Sequence, residues 1–168
     1  MNGVTQFLSR LRCNPPATQD EMRRLERAVG LSLPDEYLEL LRTANGAAGT
    51  VGESYIVFLR ASEVERAREL DMEFGKSGRY LAFATDGANT NYAFDTESKT
   101  PYPIVGQDKI DDEVVVQVAR DFTEFYERLR HRKLGGIEVH FSKEQIADFL
   151  KRSAAVRKKG DGGPPQTT

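Results

Sequence analysis

Residues 80–95 read YLAFATDGANTNYAFD, and this stretch predicts a β-hairpin. Residues 80–84 and 91–94 are rich in aromatic and aliphatic side chains, as short strands are. Between them, residues 86–90 contain an Asp-Gly pair, which favours a tight turn because glycine adopts positive φ without strain. The chain is therefore expected to contain an antiparallel sheet, around which its other elements are arranged.

Capping motifs predict three helices outside this hairpin. Residues 18–21 (Thr-Gln-Asp-Glu) form a capping box, and Gly30 supplies the left-handed residue that ends the helix. Residues 33–36 (Leu-Pro-Asp-Glu) begin a second helix, because proline is favoured at the first helical position and acids complement the helix dipole. A second capping box at residues 62–65 opens a helix that runs to about residue 74.

The rest of the chain supplies short strands and a closing helix. Residues 53–59 are rich in β-branched and aromatic side chains and predict a strand, and residues 103–105 and 113–118 are also extended. The Gly, Ala and Thr composition of residues 47–52 indicates a flexible loop. A last capped helix begins at Asp121. This order predicts an α+β fold, with an antiparallel sheet of about four to six short strands packed by helices.

Composition divides the chain into four segments. We expect an N-terminal helix that includes Cys13 in residues 1–17, followed by the α+β domain in residues 18–134. Residues 135–152 form an extension with an extra strand and helix. Residues 153–168 are basic and rich in Gly and Pro, so they cannot pack a core and are expected to be disordered.

Length and composition exclude several classes of protein. The 168 residues suit one domain, and the single cysteine cannot form an internal disulfide. No stretch approaches the length of a membrane span or resembles a signal peptide, so we expect a cytoplasmic protein without membrane contact. The net charge of -2 excludes a protein-wide basic field for nucleic acid. The basic C-terminal tail is the one candidate for direct contact with nucleic acid.

The charge is unevenly distributed. Residues 1–130 contain 16 Lys and Arg against 22 Asp and Glu, a net charge of -6, whereas residues 131–168 contain 8 against 4, a net charge of +4. Acidic residues that cluster in one loop are either solvated or face a cationic partner, and both interpretations stay open. The predicted partner-binding residues are Asp108, Asp111, Asp112, Glu113, Asn89 and Asn91.

No motif predicts catalysis, a cofactor or a metal. The chain lacks the nucleophile elbow, the phosphate-binding Gly-Lys loop, the dinucleotide fingerprint and the His-x-x-x-His pair. His131 and His140 have no second histidine or cysteine at metal spacing. The Asp and Asn residues between 86 and 95 lack the order of a calcium loop. We therefore predict no catalytic residue, no cofactor and no metal ligand.

A series of short motifs follows the predicted elements in order. They are Gly30-Leu-Ser-Leu-Pro34 with Tyr37, Asn45-Gly46, Thr85-Asp-Gly87, Tyr92-Ala-Phe-Asp95, Ile104-Val105 and Asp121-Phe-Thr-Glu-Phe125. Together they resemble the SMI1/KNR4 (SUKH) family over about residues 18–130. The chain departs from that family in having no tryptophan and in extending past its last helix.

The resemblance implies an α+β fold without catalytic activity, whose partner is a protein. Many bacterial members are immunity proteins that bind and block polymorphic toxins, often nucleases, and fungal members act through protein contacts. We therefore expect a non-enzymatic immunity protein whose partner is a cognate toxin domain. The alternatives are a regulatory or scaffold module that binds a cellular protein and, as a minor one, a small hydrolase.

Some residues of these motifs are expected to shape turns rather than to bind a ligand. Glycine can take positive φ, and Asp or Asn side chains can accept backbone amides where a strand or helix ends. The predicted structural turn residues are Asn45, Gly46, Asp86, Gly87 and Asp95.

Overall fold

The structure, a computed structural model, describes residues 3–109, 114–131 and Lys151. The chain divides into two units, Met1–Gly136 and Ile137–Thr168, and apart from Lys151 the described residues belong to the first. The predicted extension and tail, residues 135–152 and 153–168, lie outside the described residues except at Lys151. The helices are α1 (Gly3–Leu8), α2 (Gln19–Val29), α3 (Asp35–Thr43), α4 (Ala61–Glu73) and α5 (Phe122–Arg130). The strands are β1 (Arg12–Cys13), β2 (Ala47–Val51), β3 (Ser54–Phe58), β4 (Tyr80–Thr85), β5 (Thr90–Asp95), β6 (Ile104–Asp108) and β7 (Val115–Ala119).

The described strands form one antiparallel sheet in which every strand pairs with its neighbour in the sequence. The order is β1-β2-β3-β4-β5-β6-β7. The predicted α+β class is confirmed, and the sheet has seven strands rather than four to six. The central hairpin, β4 and β5, is as the sequence predicts.

The expectation of a flexible loop at residues 47–52 is wrong. All but Gly52 form β2, which pairs with β3 along its whole length, from Ala47 opposite Phe58 to Val51 opposite Ser54. The absence of a side chain at Gly49 also lets Leu11 approach the strand closely, because a Cβ atom on Gly49 would lie 3.0 Å from Leu11 Cδ2. Pairing with a neighbouring strand thus overrides the low strand propensity of Gly and Ala.

The N-terminal helix is shorter than expected. It ends at Leu8, and Cys13, expected in that helix, instead pairs with Ala47 in the short strand β1. The backbone pairing of β1 with β2 explains the difference, since it satisfies amide and carbonyl groups that a longer helix would have paired internally.

Most of the predicted helix starts are confirmed. Thr18 Oγ1 accepts from the Glu21 amide at 3.2 Å, and Glu21 Oε2 accepts from the Thr18 amide at 2.8 Å. Asp121 Oδ1 caps α5 by accepting from the Glu124 amide at 2.7 Å. Helix α4 differs from the prediction, because it begins at Ala61, before the predicted Ser-x-x-Glu box.

An aromatic cluster between the helices and the sheet forms the centre of the core. The Tyr37 ring of α3 lies 5.6 Å from Phe83, 5.3 Å from Phe94 and 5.6 Å from Phe122. Phe83 and Phe94 stack on the central hairpin with 4.4 Å between ring centroids. Burial of these rings is the main hydrophobic stabilisation that joins α3 and α5 to the sheet.

The strand register separates a buried row of residues from a half-exposed row. Paired residues share a face of the sheet. The half-exposed row crosses all seven described strands and, apart from the exposed Arg12, its members are partly accessible to solvent. Its members are Arg12, Ala48, Val57, Thr85, Asn91, Gln107 and Val115. The row brings Asn91 and Gln107 side by side on an accessible face.

None of the described helices is long and apolar enough to cross a membrane.

Candidate functional site

Three of the predicted partner-binding residues lie together where β5 begins and β6 ends. Thr90 pairs with Asp108, so Asn89 and Asn91 flank the residue opposite Asp108. Asn89 is exposed, and Asn91 and Asp108 are half-buried. We call Asn89, Asn91 and Asp108 the hairpin-end surface. The other three predicted residues, Asp111, Asp112 and Glu113, lie outside the described residues.

Hydrogen bonds hold the loop of this hairpin in one conformation. Asp86 Oδ1 accepts from the amides of Ala88 at 2.8 Å and Thr90 at 3.0 Å. Partial burial opposes ionisation of Asp86, but these two amides, the Thr90 side chain and the charge of Lys109 together hold the pKa of the carboxyl below its usual value. Gly87 follows with φ of 78°. Asp86 and Gly87 thus lie in the turn between β4 and β5.

The neighbouring strand fixes the same loop from the other side. The Lys109 amide donates to the Asn89 carbonyl at 2.7 Å, and Lys109 Nζ donates to the Ala88 carbonyl at 2.9 Å. Tyr55, which is 49% exposed, lies so close to Gly87 that a Cβ atom there would be 2.9 Å from its ring. The hairpin-end surface is thus presented on a well-supported loop beside an exposed aromatic ring.

Asp95 binds an arginine that sequence reasoning missed. Arg79 donates from Nε and Nη2 to the two carboxylate oxygens of Asp95, at 2.9 and 2.8 Å. These hydrogen bonds hold the pKa of the buried Asp95 carboxyl below its usual value. The register of the hairpin could have revealed Arg79, because Tyr80 pairs with Asp95 and Arg79 is the residue before Tyr80.

Asn45 does more than end helix α3. Its Oδ1 accepts from the Ala61 amide at 2.8 Å, and its Nδ2 donates to Glu21 Oε1 at 3.1 Å. The side chain therefore caps α4 and ties it to the start of α2. Gly46 follows with φ of 85°, and a Cβ atom there would lie 3.0 Å from the Phe58 carbonyl oxygen. Any other residue would be strained at this position.

A polar cleft of about 440 Å³ adjoins the hairpin-end surface. Its walls are helix α4, the loop of residues 76–79, and strands β4 to β6. Its lining includes three cations, Lys76, Arg79 and Lys109, and two carboxylates, Asp71 and Asp108. The cleft also includes Asn91, so Asn91 and Asp108 belong both to it and to the hairpin-end surface.

Among the described residues, no group of three His, Cys, Asp or Glu side chains could hold a metal ion. His131 is exposed and lies 3.3 Å from Glu127 on the same helix, and His140 is outside the described residues. Cys13 is exposed at the sheet edge. Several charged groups of this region pair with one another or with backbone groups, as Arg79 does with Asp95 and Lys109 with the Ala88 carbonyl.

The comparison with known families agrees with the arrangement of elements. The model of the SMI1 / KNR4 family (SUKH-1) matches residues 16–128, which is well over half of the chain. The match begins just before α2 and ends within α5, and it includes the aromatic cluster and the hairpin-end surface. No curated protein matches the chain. The family comprises protein-interaction domains that are generally non-catalytic. Because this match extends over residues 16–128, the chain belongs to the SMI1/KNR4 (SUKH-1) family.

Proposed function

We propose that this protein is a bacterial immunity protein that binds and blocks a cognate toxin domain without catalysing a reaction. The family includes immunity proteins, and this supports the proposed role. The observation that carries the proposal is the hairpin-end surface, where three predicted partner-binding residues meet on strand ends held by hydrogen bonds. A surface that is ordered before binding loses little conformational entropy when the partner docks.

The negative charge of residues 1–130 supports the proposal that the partner is basic. Residues 1–130 carry a net charge of -6, and Asp108 lies at the accessible end of the sheet. A nuclease toxin must be basic where it grips phosphates, so an acidic protein can occupy that groove and speed the encounter. Blocking is then steric and electrostatic. Asp111, Asp112 and Glu113 follow Asp108 closely in the sequence, and we propose them as further contacts.

The proposal is tested by growth of a bacterial host that expresses the toxin encoded beside this gene. Co-expression of the full chain should restore growth, and survival no better than with an empty vector would contradict the proposal. The D108K variant should weaken protection, since it reverses a charge at the proposed interface. The control variant E26K makes the same charge change at an exposed position of α2 and should protect as well as the wild type.

A second experiment separates this role from that of a regulatory module whose basic tail holds the partner. A chain that lacks residues 151–168 retains the hairpin-end surface, so toxin protection should persist. Loss of protection on this deletion would assign binding to the basic tail instead and would contradict the proposed surface.

A further inference from the structure

The register of the sheet places Tyr55 on its accessible face. In β3, Ile56 and Phe58 are buried, whereas Tyr55 is exposed and Val57 is half-buried. Alternate residues of a strand point to opposite faces, so Tyr55 and Val57 share the face that solvent reaches. Val57 is a member of the half-exposed row, and Tyr55 therefore lies beside this row.

The ring of Tyr55 contacts the loop of the central hairpin. Val57 pairs with Thr85, so two residues further along the two strands the antiparallel register brings Tyr55 towards Gly87. A Cβ atom on Gly87 would lie 2.9 Å from Cδ1 and 3.0 Å from Cε1 of the ring. One edge of the ring is thus held against the loop, and 49% of the residue stays exposed.

This contact restricts Tyr55 before a partner binds. The loop beneath the ring is itself ordered, because Asp86 accepts from the amides of Ala88 and Thr90. Tyrosine has only two side-chain torsions, so a tyrosine that is already restricted loses little entropy on binding. Large aromatic side chains with this property are typical of the few residues that dominate the energy of a protein interface.

Tyr55 differs in its location from the other exposed apolar side chains. Among the described residues, the large hydrophobic side chains that are exposed are Tyr55, Met72 and Phe74. Met72 lies near the C-terminal end of α4 and Phe74 is its C-cap residue. Tyr55 instead adjoins the hairpin-end surface, because Thr85, on the same face, pairs with Asn91. The accessible face is therefore continuous from Tyr55 to the hairpin-end surface.

The segments near this ring are acidic. The loop of residues 86–91 and residues 108–113, which begin beside it, contain five Asp and Glu against one Lys. That lysine, Lys109, donates to the Ala88 carbonyl. The face of an aromatic ring attracts cations, and acidic groups nearby favour the approach of a basic protein. The ring of Tyr55 is therefore suited to contact a cationic side chain of a partner.

We propose that Tyr55 is an anchor residue of the partner interface, and that its ring contacts an arginine or lysine side chain of the cognate toxin domain. This inference rests on the proposed function and names a further contact of the same partner. Tyr55 belongs to the hairpin of β2 and β3, so the partner spans two hairpins rather than the hairpin-end surface alone.

The test is calorimetric titration of the full chain with the toxin domain encoded beside its gene. The Y55A variant should raise the Kd about tenfold, because it removes the whole ring. Y55F retains the ring and should bind within about twofold of the wild type. Y55L retains much of the apolar area but has no aromatic face, and it should weaken binding several-fold.

The matched control is F74A, which truncates an aromatic side chain that is 76% exposed and lies outside the sheet. It should bind like the wild type. Thermal unfolding verifies that each variant is folded.

The outcomes separate this inference from the proposed function. A wild-type complex whose affinity is unchanged by Y55A would overturn the inference alone. So would Y55L binding as well as the wild type, since a cation would then not recognise the ring, or Y55F binding as weakly as Y55A, since the hydroxyl would then be the contact. The absence of any complex with the wild type would overturn the proposed function and this inference together.

Discussion

Asn45 connects two helix starts through one buried side chain. It accepts from the Ala61 amide at 2.8 Å and donates to Glu21 at 3.1 Å. The N45A variant leaves the first amide of α4 buried without a partner, which costs about 1–3 kcal/mol of unfolding free energy. Urea unfolding measures this loss. N89A, which truncates an exposed asparagine, is the matched control and should change stability by no more than about 0.5 kcal/mol.

Tyr37 lies at the centre of the aromatic cluster, and its hydroxyl is buried without a hydrogen-bond partner among the described residues. Burial raises the pKa of this phenol. The Y37F variant retains the ring contacts and removes the unsatisfied group, so it should be as stable as the wild type or about 1 kcal/mol more stable. A loss of more than 1 kcal/mol in urea unfolding would show that the hydroxyl has a partner in solution.

The loop after α4 is fixed by a contact between elements. Arg68 of α4 donates from Nη1 to the Gly78 carbonyl, and a Cβ atom on Gly78 would clash with that guanidinium. Gly75 has a similar φ of +69°, against +67° for Gly78, but a Cβ atom there meets nothing within 4 Å. G75A and G78A therefore share the backbone strain, and only G78A also displaces Arg68.

We expect G78A to be less stable than G75A by about 1 kcal/mol, which is the value of the hydrogen bond that Arg68 loses. Thermal and urea unfolding of the two variants compare them directly. Equal stabilities would mean that Arg68 does not hold the loop.

Helix α5 contains a carboxylate shared between two arginines. Glu124 accepts from the Arg120 amide at 2.7 Å, from Arg120 Nε at 2.9 Å, and from Arg128 at 3.1 and 2.9 Å. These hydrogen bonds, the Arg120 amide first, lower the pKa of Glu124 to about 2. The unfolded chain binds the proton at a higher pH, so the stabilisation is full above about pH 4.5 and is lost as the pH falls toward 2.

The E124Q variant should flatten this dependence. Unfolding free energies measured in urea between pH 2 and 7 should fall less steeply for E124Q than for the wild type below pH 4.5. Asp86 and Asp95 also have lowered pKa values, so part of the acid sensitivity remains in the variant. Identical pH profiles would show that the hydrogen bonds to Glu124 do not form in solution.

Local signals predicted most elements, because caps and turns depend on residues close in sequence. The capping residues Thr18 and Asp121 and the turn at Gly87 are examples. Strands β1 and β2 could not be predicted this way, since pairing across the sheet, rather than their own composition, makes them strands. Sheet pairing also determines the half-exposed row.

The site was only partly predictable for the same reason. Asn89, Asn91 and Asp108 could be selected from composition and charge, but their proximity depends on the register of β5 and β6. The cleft combines α4, its following loop and three strands, and no local pattern links Arg79 with Lys109. Residues that are brought together only by the tertiary structure cannot be recognised from their spacing in the sequence.

At the scale of the whole molecule, charge is divided between the family domain and the remainder of the chain. Residues 1–130 have a net charge of -6 and residues 131–168 a net charge of +4. We propose that the acidic part binds the partner. Binding should therefore weaken with salt, because charges that attract across an interface are screened.

Partner binding by the hairpin-end surface can be measured by calorimetric titration of the purified full chain with the toxin domain encoded beside it. We expect a one-to-one complex whose Kd rises about tenfold with D108K and is unchanged with E26K. The absence of a complex, or equal affinity of the wild type and D108K, would contradict it.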